Sequence, residues 1–112
     1  MDIDNWLDRF EKGWEKKNID LVLGLFTEDV EYHETPDREL ETIEEIRNEW
    51  EGIEQQENIQ IDTALFAKEN EKFAVKWDLS YVKDGINHDL KGVYLIKLNS
   101  ENKCYEFWQY IS

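Results

Sequence analysis

Glu34 is the side chain in this sequence whose type and setting best suit chemistry. Val30, Tyr32 and Glu34 alternate along a segment of strand-like composition, so the three side chains share one face of the strand. If that face lines an apolar hollow, a carboxylate on it is suited to take up a proton near neutral pH. The alternative is a strand-end glutamate that stays in water or caps the turn before Pro36.

The two histidines and the single cysteine do not form the pattern of a metal site or of a nucleophile pair. His33 and Glu34 are neighbours in a strand, whereas a helical zinc pair lies four residues apart on one face. We therefore expect His33 on the face opposite Glu34, and His88 at the mouth of a pocket. Cys104 has the outward parity of the last strand, which separates it from His88. No glycine-rich phosphate loop is visible, so the sequence predicts neither a metal nor a cofactor.

The bulk properties describe one small domain. The 112 residues, of which 40% are hydrophobic, suffice for a single core spanning 1–112. No apolar run reaches the roughly 20 residues of a membrane-spanning helix. The first four residues lack the basic and apolar regions of a signal peptide. One unpaired thiol fits a reducing compartment, so we expect a cytoplasmic protein without membrane contact.

The charge is strongly negative and unevenly distributed. A formal net charge of −14 disfavours nucleic acid and anionic membrane surfaces as partners. Residues 28–57 hold thirteen Asp and Glu against Arg38 and Arg47. This segment predicts a solvated acidic face, and the alternative is a docking surface for a basic partner.

Helical periodicity dominates the first half of the chain. Apolar residues at spacings of three and four predict a first helix, capped by Asp2 or Asp4. Asp20 is expected to cap a short second helix. Thr42 and Glu45 have the spacing of a capping box that begins a third helix.

Alternation with period two dominates the second half. Asn70-Glu71 and Asp84-Gly85 interrupt it as turns, and the latter is a strong hairpin signal. Strands joined by short turns pair antiparallel. Together with the strand that contains Glu34, they predict an α+β domain whose curved antiparallel or mixed sheet packs on three N-terminal helices. Such a curled sheet leaves a hollow with one open end.

This order of elements, together with three stretches of sequence, resembles the nuclear transport factor 2-like superfamily and its SnoaL-like group. The stretches are 14–20, 25–33 and 43–50, and the second contains the family's Leu-Phe, acid, Asp, Val entry into the first strand. Segment 103–110 is similar to a subgroup whose last strand carries a cysteine and then an acid-plus-tryptophan pair. The resemblance implies a cone with a pocket at its wide end, and frequent homodimers through the outer sheet face. It does not imply one function, because this fold hosts isomerases, cyclases, dehydratases, epoxide hydrolases and binders.

The resemblance also suggests roles for individual residues. Glu34 occupies a position similar to that of the general base in ketosteroid isomerases. The positions of their oxyanion-hole donors hold Phe10, which has no donor, and Tyr94, which has one. Gln109 stands where the subgroup's last strand carries an acid. Catalysis would therefore use Glu34 as the base, with Tyr94 and Gln109 orienting the substrate.

Under the same resemblance, strand parity divides the sheet into an inner and an outer face. The inner face holds the residues expected to contact a ligand, which are Tyr32, Trp77, Tyr94, Phe107 and Gln109. The outer face holds an apolar set too large for open water, which predicts a homodimer contact at Val93, Leu95, Trp108 and Tyr110.

The five tryptophans leave two interpretations of the interior open. Trp6, Trp14 and Trp50 are predicted in the core and Trp77 in a pocket wall, which favours a flat, largely apolar ligand with one or two polar groups. Alternatively, these rings fill the cone and leave no cavity. Two functions follow: a module that binds a small apolar or aromatic molecule, and a cofactor-independent isomerase, cyclase or hydrolase with Glu34 as base.

Overall fold

A computed structural model describes residues 2–112 and has an α+β architecture with helices on one face of a six-stranded sheet. The helices are α1 (Ile3–Glu15), α2 (Ile19–Leu23) and α3 (Ile43–Glu51), with a 3₁₀ turn at Gly52–Gln55. The strands are β1 (Phe26–Thr35), β2 (Arg38–Leu40), β3 (Glu57–Glu69), β4 (Lys72–Lys83), β5 (Ile86–Leu98) and β6 (Cys104–Ile111). Within the described residues, no helix combines the length and the apolarity needed to cross a membrane.

The first and third helices begin at the predicted side-chain caps. Asp2 Oδ1 accepts a hydrogen bond from the Asn5 backbone N–H at 3.0 Å and so caps α1. Thr42 Oγ1 accepts from the Glu45 backbone N–H at 3.1 Å and caps α3. Each cap satisfies one of the backbone donors that a helix start leaves without an intrahelical partner.

The predicted cap of α2 is wrong. Asn18 Oδ1, not the Asp20 carboxylate, accepts from the Leu21 backbone N–H at 3.1 Å. The helix begins at Ile19, two residues before the start that a cap at Asp20 implies, which places Asp20 inside its first turn. It ends at Leu23, because the chain enters β1 at Phe26.

The predicted mixed sheet is confirmed, in the order β2-β1-β6-β5-β4-β3. β1 and β6 pair in parallel, and all other neighbouring strands pair antiparallel. The turns before β4 and β5 contain Asn70, Asp84 and Gly85, with φ values of 55°, 54° and 75°. This left-handed backbone is the one that Asn, Asp and Gly adopt most readily, as tight hairpin turns require.

Strand β2 was not predicted from the sequence. It has three residues and turns back on the end of β1, with Tyr32 opposite Leu40 and His33 opposite Glu39. Three residues are too few to show an alternating pattern. The consequence for the site is that Arg38 returns to the side of Glu34.

The predicted outward position of Cys104 is also wrong, because its side chain is fully buried. Along β6, Cys104 pairs with Leu98 and Glu106 with Lys97, so Tyr105 is an extra residue and forms a bulge. The bulge reverses the parity of Cys104 relative to the rest of the strand. Burial raises the pKa of its thiol, whose Sγ donates to the Glu106 carbonyl at 3.1 Å.

One end of the interior is packed with aromatic rings. We call it the closed end, and its rings are Trp6, Phe10, Phe26, Tyr94 and Phe107. Phe10 is stacked on Trp6 at 5.2 Å between ring centroids and lies edge-on to Tyr94 at 5.5 Å. Trp6 Nε1 donates to the Leu25 carbonyl at 3.0 Å. At this end, large rings fill the cone.

Candidate ligand-binding site

A cavity of about 440 Å³ occupies the opposite end of the interior, and we call it the open-end cavity. Its aromatic wall comprises Trp14, Tyr32, Trp50, Trp77 and Tyr81. Its polar groups are Glu34, Glu49, Gln56, Lys83 and Gln109. Aliphatic side chains complete the lining. The ends of α1, α3, β1, β4 and β6 converge here and together form the cavity.

The structure brings together Tyr32, Glu34, Trp77 and Gln109 around this cavity. Tyr94 and Phe107 do not line it, because both are fully buried in the closed end. They support its walls instead. Tyr94 stacks on Trp77 at 5.3 Å, and Phe107 stacks on Tyr32 at 4.8 Å.

Two cavity tryptophans were expected only in the core. Trp14 and Trp50 are largely buried, yet each also contributes to the cavity wall. Their positions at the C-terminal ends of two apolar helix stripes were the signal available in the sequence, because both helices end at the cavity. Their rings meet edge to face at 4.9 Å.

Hydrogen bonds between side chains fix these rings. Trp14 Nε1 donates to Gln56 Oε1, and Trp50 Nε1 donates to the Tyr32 hydroxyl, both at 3.0 Å. Burial raises the pKa of Tyr32 and outweighs the opposing effect of the bond from Trp50. Tyr32 is therefore a neutral phenol that accepts one bond and keeps its own proton to donate.

Trp77 owes its position to a glycine. A Cβ atom at Gly92 would lie 2.9 Å from Trp77 Cζ2 and 1.8 Å from the Tyr110 carbonyl oxygen. Only a residue without a side chain allows the indole to lie over β5 at this point. Trp77 Nε1 and the Tyr94 hydroxyl are buried, and neither has a hydrogen-bond partner within residues 2–112. Burial also raises the pKa of Tyr94, so its phenol is neutral.

The carboxylate of Glu34 belongs to an ion-pair trio at the cavity mouth. Arg38 Nη1 contacts Glu34 Oε2 and also Glu49 Oε1, the latter at 2.8 Å. Gln109 Nε2 donates to the backbone carbonyl of Glu34 at 3.2 Å, which ties β6 to β1 beside the trio. Sequence reasoning missed Arg38 and Glu49, because nothing in the sequence reveals that β2 folds back beside α3.

A family profile for the SnoaL-like domain matches residues 7–107, which is most of the chain. The chain belongs to this family. No curated protein sequence matches it. The predicted membership of the nuclear transport factor 2-like superfamily is thereby confirmed.

Solved structures share the fold of this SnoaL-like domain. A nuclear transport factor 2-like protein of unknown function from Exiguobacterium sp. 255-15 matches with a TM-score of 0.80 and 16% identity, covering 96% of this chain and 98% of that chain. The Δ5-3-ketosteroid isomerase from Mycobacterium sp. matches with a TM-score of 0.81 and 11% identity, covering 96% of this chain and 95% of that chain. A third match is a hypothetical protein of ketosteroid isomerase-like fold from Catenulispora acidiphila DSM 44928, in complex with trimethylamine. Its TM-score is 0.79 and its identity 12%, and the match covers 96% of this chain and 85% of that chain. At these identities, the likeness shows the fold alone.

The outer sheet face of the SnoaL-like domain carries an apolar row that crosses four strands. In register order, the row is Ala67, Ala74, Leu95 and Trp108, and His33 on β1 lies beside its end. The row runs through a depression of about 480 Å³. Leu95 within β5 and Tyr110 near the end of β6 are each 39% exposed.

The two histidines lie where stacking, not ligation, occupies them. His33 stacks on Trp108 at 3.4 Å between centroids, and its Nε2 lies 2.8 Å from Glu31 Oε2. His88 stacks on Tyr81 at 4.8 Å, one ring away from the cavity. Within residues 2–112, no three His, Cys, Asp or Glu side chains gather as metal ligands do.

Proposed function

We propose that this SnoaL-like domain binds a small, largely apolar molecule in the open-end cavity. The observation that carries the proposal is the cavity itself. Its volume of about 440 Å³ lies in the range of small-molecule sites, and its wall combines aromatic faces with a few convergent polar groups. The Catenulispora protein of the same fold is in complex with trimethylamine, which supports a small molecule as the occupant.

Contacts around the cavity suggest how a ligand is held. Tyr32 and Trp77 offer flat faces, and Gln109 offers an amide beside them. Tyr94 and Phe107 act from behind, by fixing the rings on which they stack.

A calorimetric titration with naphthylmethanol, a flat molecule with one hydroxyl, tests this proposal. A cavity-blocking variant is available at Gly52, where an added Cβ meets no atom within 4 Å and the backbone is right-handed helical. We expect Gly52→Phe to weaken binding by about tenfold or more. Gln55→Phe, three residues on and outside the cavity lining, is the matched control. Equal binding by both variants and the native chain would place the probe elsewhere and contradict the proposal.

A second candidate is a cofactor-independent isomerase, cyclase or hydrolase with Glu34 as general base. It is favoured by one observation, that the Glu34 side chain lines the same cavity as Tyr32 and Trp77. Isomerisation of a β,γ-unsaturated steroid ketone, followed by the absorbance of the conjugated product, tests it. We expect Glu34→Gln to abolish any turnover, while Glu51→Gln on the exposed side of α3 preserves it. Turnover that survives Glu34→Gln would remove this role.

We also propose a homodimer through the outer face, at Val93, Leu95, Trp108 and Tyr110. The apolar row through Leu95 and Trp108 and the exposure of Leu95 and Tyr110 support this contact, because exposed apolar patches often mark interaction surfaces. Light scattering at micromolar concentration is expected to give the dimer mass, and Leu95→Glu to give the monomer. A native chain that scatters as a monomer would refute the dimer.

The cytoplasmic location that we expect from the sequence stays a prediction. Cell fractionation with an antibody to the chain tests it. Recovery in the membrane pellet or outside the cell would contradict it.

A further inference from the structure

We infer that the open-end cavity selects a ligand whose apolar body carries a positive charge, such as an organic amine, and that Glu34 and Glu49 receive this charge. The inference rests on the proposed function, because it names the class of molecule that the cavity takes. It comes from three features of the site: the ion-pair trio, the charge around it, and the state of the tryptophan N–H groups.

The trio at the mouth has one positive charge for two negative ones. Arg38 reaches only one oxygen of each partner, Glu34 Oε2 and Glu49 Oε1, so the second oxygens lie outside the bridge. The side chains of Glu34 and Glu49 are 25% and 32% exposed and line the cavity, whereas Arg38 is 57% exposed and does not. Two glutamates therefore line the cavity, and the guanidinium that they share is the most exposed member of the trio.

The surrounding chain adds negative charge. Much of this cavity wall comes from residues 28–57, with thirteen acidic residues and two arginines. Both arginines are already engaged, Arg38 in the trio and Arg47 with Asp20 at 3.0 Å. Lys83 lies at the exposed end of β4, where its long stem lets the ammonium stay in water. The field at the mouth attracts cations and repels anions.

The aromatic wall suits a cation as well. The N–H groups of Trp14 and Trp50 already donate to Gln56 and Tyr32. These two indoles therefore have no free N–H that would repel a cation, and aromatic rings attract organic cations. Glu49 and Trp50 are consecutive on α3 and both line the cavity, so a carboxylate and an aromatic face lie side by side.

Three probes of matched shape test the charge preference: naphthylmethylamine, naphthylmethanol and naphthoate, which at neutral pH are a cation, a neutral molecule and an anion. We expect calorimetry on the full chain to give the order amine, alcohol, acid, with the amine bound about tenfold more tightly than the alcohol. An alcohol that binds as tightly as the amine, or an acid that binds best, would overturn the inference and leave the proposed function intact. Absence of binding by all three would overturn both.

Variants of the trio provide a second test, in which the glutamate variants should weaken amine binding and the arginine variant should strengthen it. Glu49→Gln and Glu34→Gln should weaken amine binding several-fold more than they weaken alcohol binding, with Glu51→Gln as the control. Arg38→Gln should strengthen amine binding several-fold, because it removes the competing cation. Its control is Arg47→Gln, which breaks an ion pair away from the cavity. Because Arg38 is largely exposed, its variant tests the inference even if a glutamate variant fails to fold. If Arg38→Gln bound the amine no more tightly than the native chain does, the two carboxylates would not be the groups that bind the ammonium.

Discussion

At the closed end of the interior, Phe10 has rings on all sides, whereas at the open end Trp50 and Trp77 have rings on one side and the cavity on the other. The two ends use the same kinds of side chain. They differ in the groups that accept hydrogen bonds from the tryptophan N–H donors. Trp6 at the closed end donates to a backbone carbonyl, while Trp14 and Trp50 donate to other side chains.

This difference explains why one end is core and the other a candidate site. A backbone acceptor is fixed by the fold, so Trp6 has one place to lie. The side-chain acceptors Gln56 and Tyr32 instead hold the rings of Trp14 and Trp50 at the wall of the cavity. Aromatic content alone therefore does not mark a binding site in this domain.

The largest expected effect is at the closed end. Phe10→Ala should lower the free energy of unfolding by about 3–5 kcal/mol, because a fully buried ring leaves a cavity among its neighbours. Urea denaturation measures this loss. Tyr81→Ala at the partly exposed cavity wall is the comparison and should cost much less. Similar losses for the two variants would contradict the division into a filled and an open end.

The next largest expected effect on stability concerns Gly92, over which the Trp77 indole lies. Gly92→Ala should destabilise the domain by about 1–3 kcal/mol, since its methyl group collides with the Tyr110 carbonyl and the Trp77 ring. Gly52→Ala, where a methyl group meets open space, should be neutral or stabilising by up to about 1 kcal/mol. Thermal unfolding measures both. If Gly92→Ala were as stable as Gly52→Ala, the indole would not lie against β5 as described.

A smaller effect is expected for the bond between two walls of the cavity. Tyr32→Phe removes the acceptor of Trp50 Nε1 and should cost about 1 kcal/mol. A double-mutant cycle with Trp50→Phe isolates this bond from the packing of the rings. A coupling energy of zero would mean that the two side chains do not hold each other.

The smallest expected effect on stability near neutral pH comes from ionisation of the buried phenols. Burial raises the pKa of Tyr94 and Tyr32, whereas tyrosine in the unfolded chain titrates at about 10. Their contribution to stability is therefore complete below that value and is lost as the pH rises above it. We expect Tyr94→Phe to reduce the slope of stability against pH in alkaline urea titrations. An unchanged slope would contradict its burial as a neutral phenol.

The sequence predicted the fold well because its signals were local. The alternation of the long strands, the Asp84-Gly85 turn and the Thr42 cap each depend on a few neighbouring residues, and the structure has all three. The prediction from sequence failed where a single inserted residue changes the face on which a side chain lies. The extra residue Tyr105 reversed the parity of Cys104, and no pattern in the strand shows a bulge.

The candidate site was predicted in part, for a related reason. Strand parity brought Tyr32, Glu34, Trp77 and Gln109 to one face, and these residues line the cavity. Parity does not say how deep a residue lies along the cone, so it did not separate Tyr94 and Phe107 from them. Glu49 and Arg38 come from an unpredicted strand and from α3, and only the tertiary structure brings them together.

The most direct test of the central claim, that a ligand enters the open end alone, follows the five indole N–H signals by NMR during titration with naphthylmethylamine. We expect the signals of Trp14, Trp50 and Trp77 to shift with one common affinity. Those of Trp6 in the closed end and Trp108 on the outer face should stay in place. Shifts confined to Trp6 or Trp108, or no shifts at any indole, would contradict that claim.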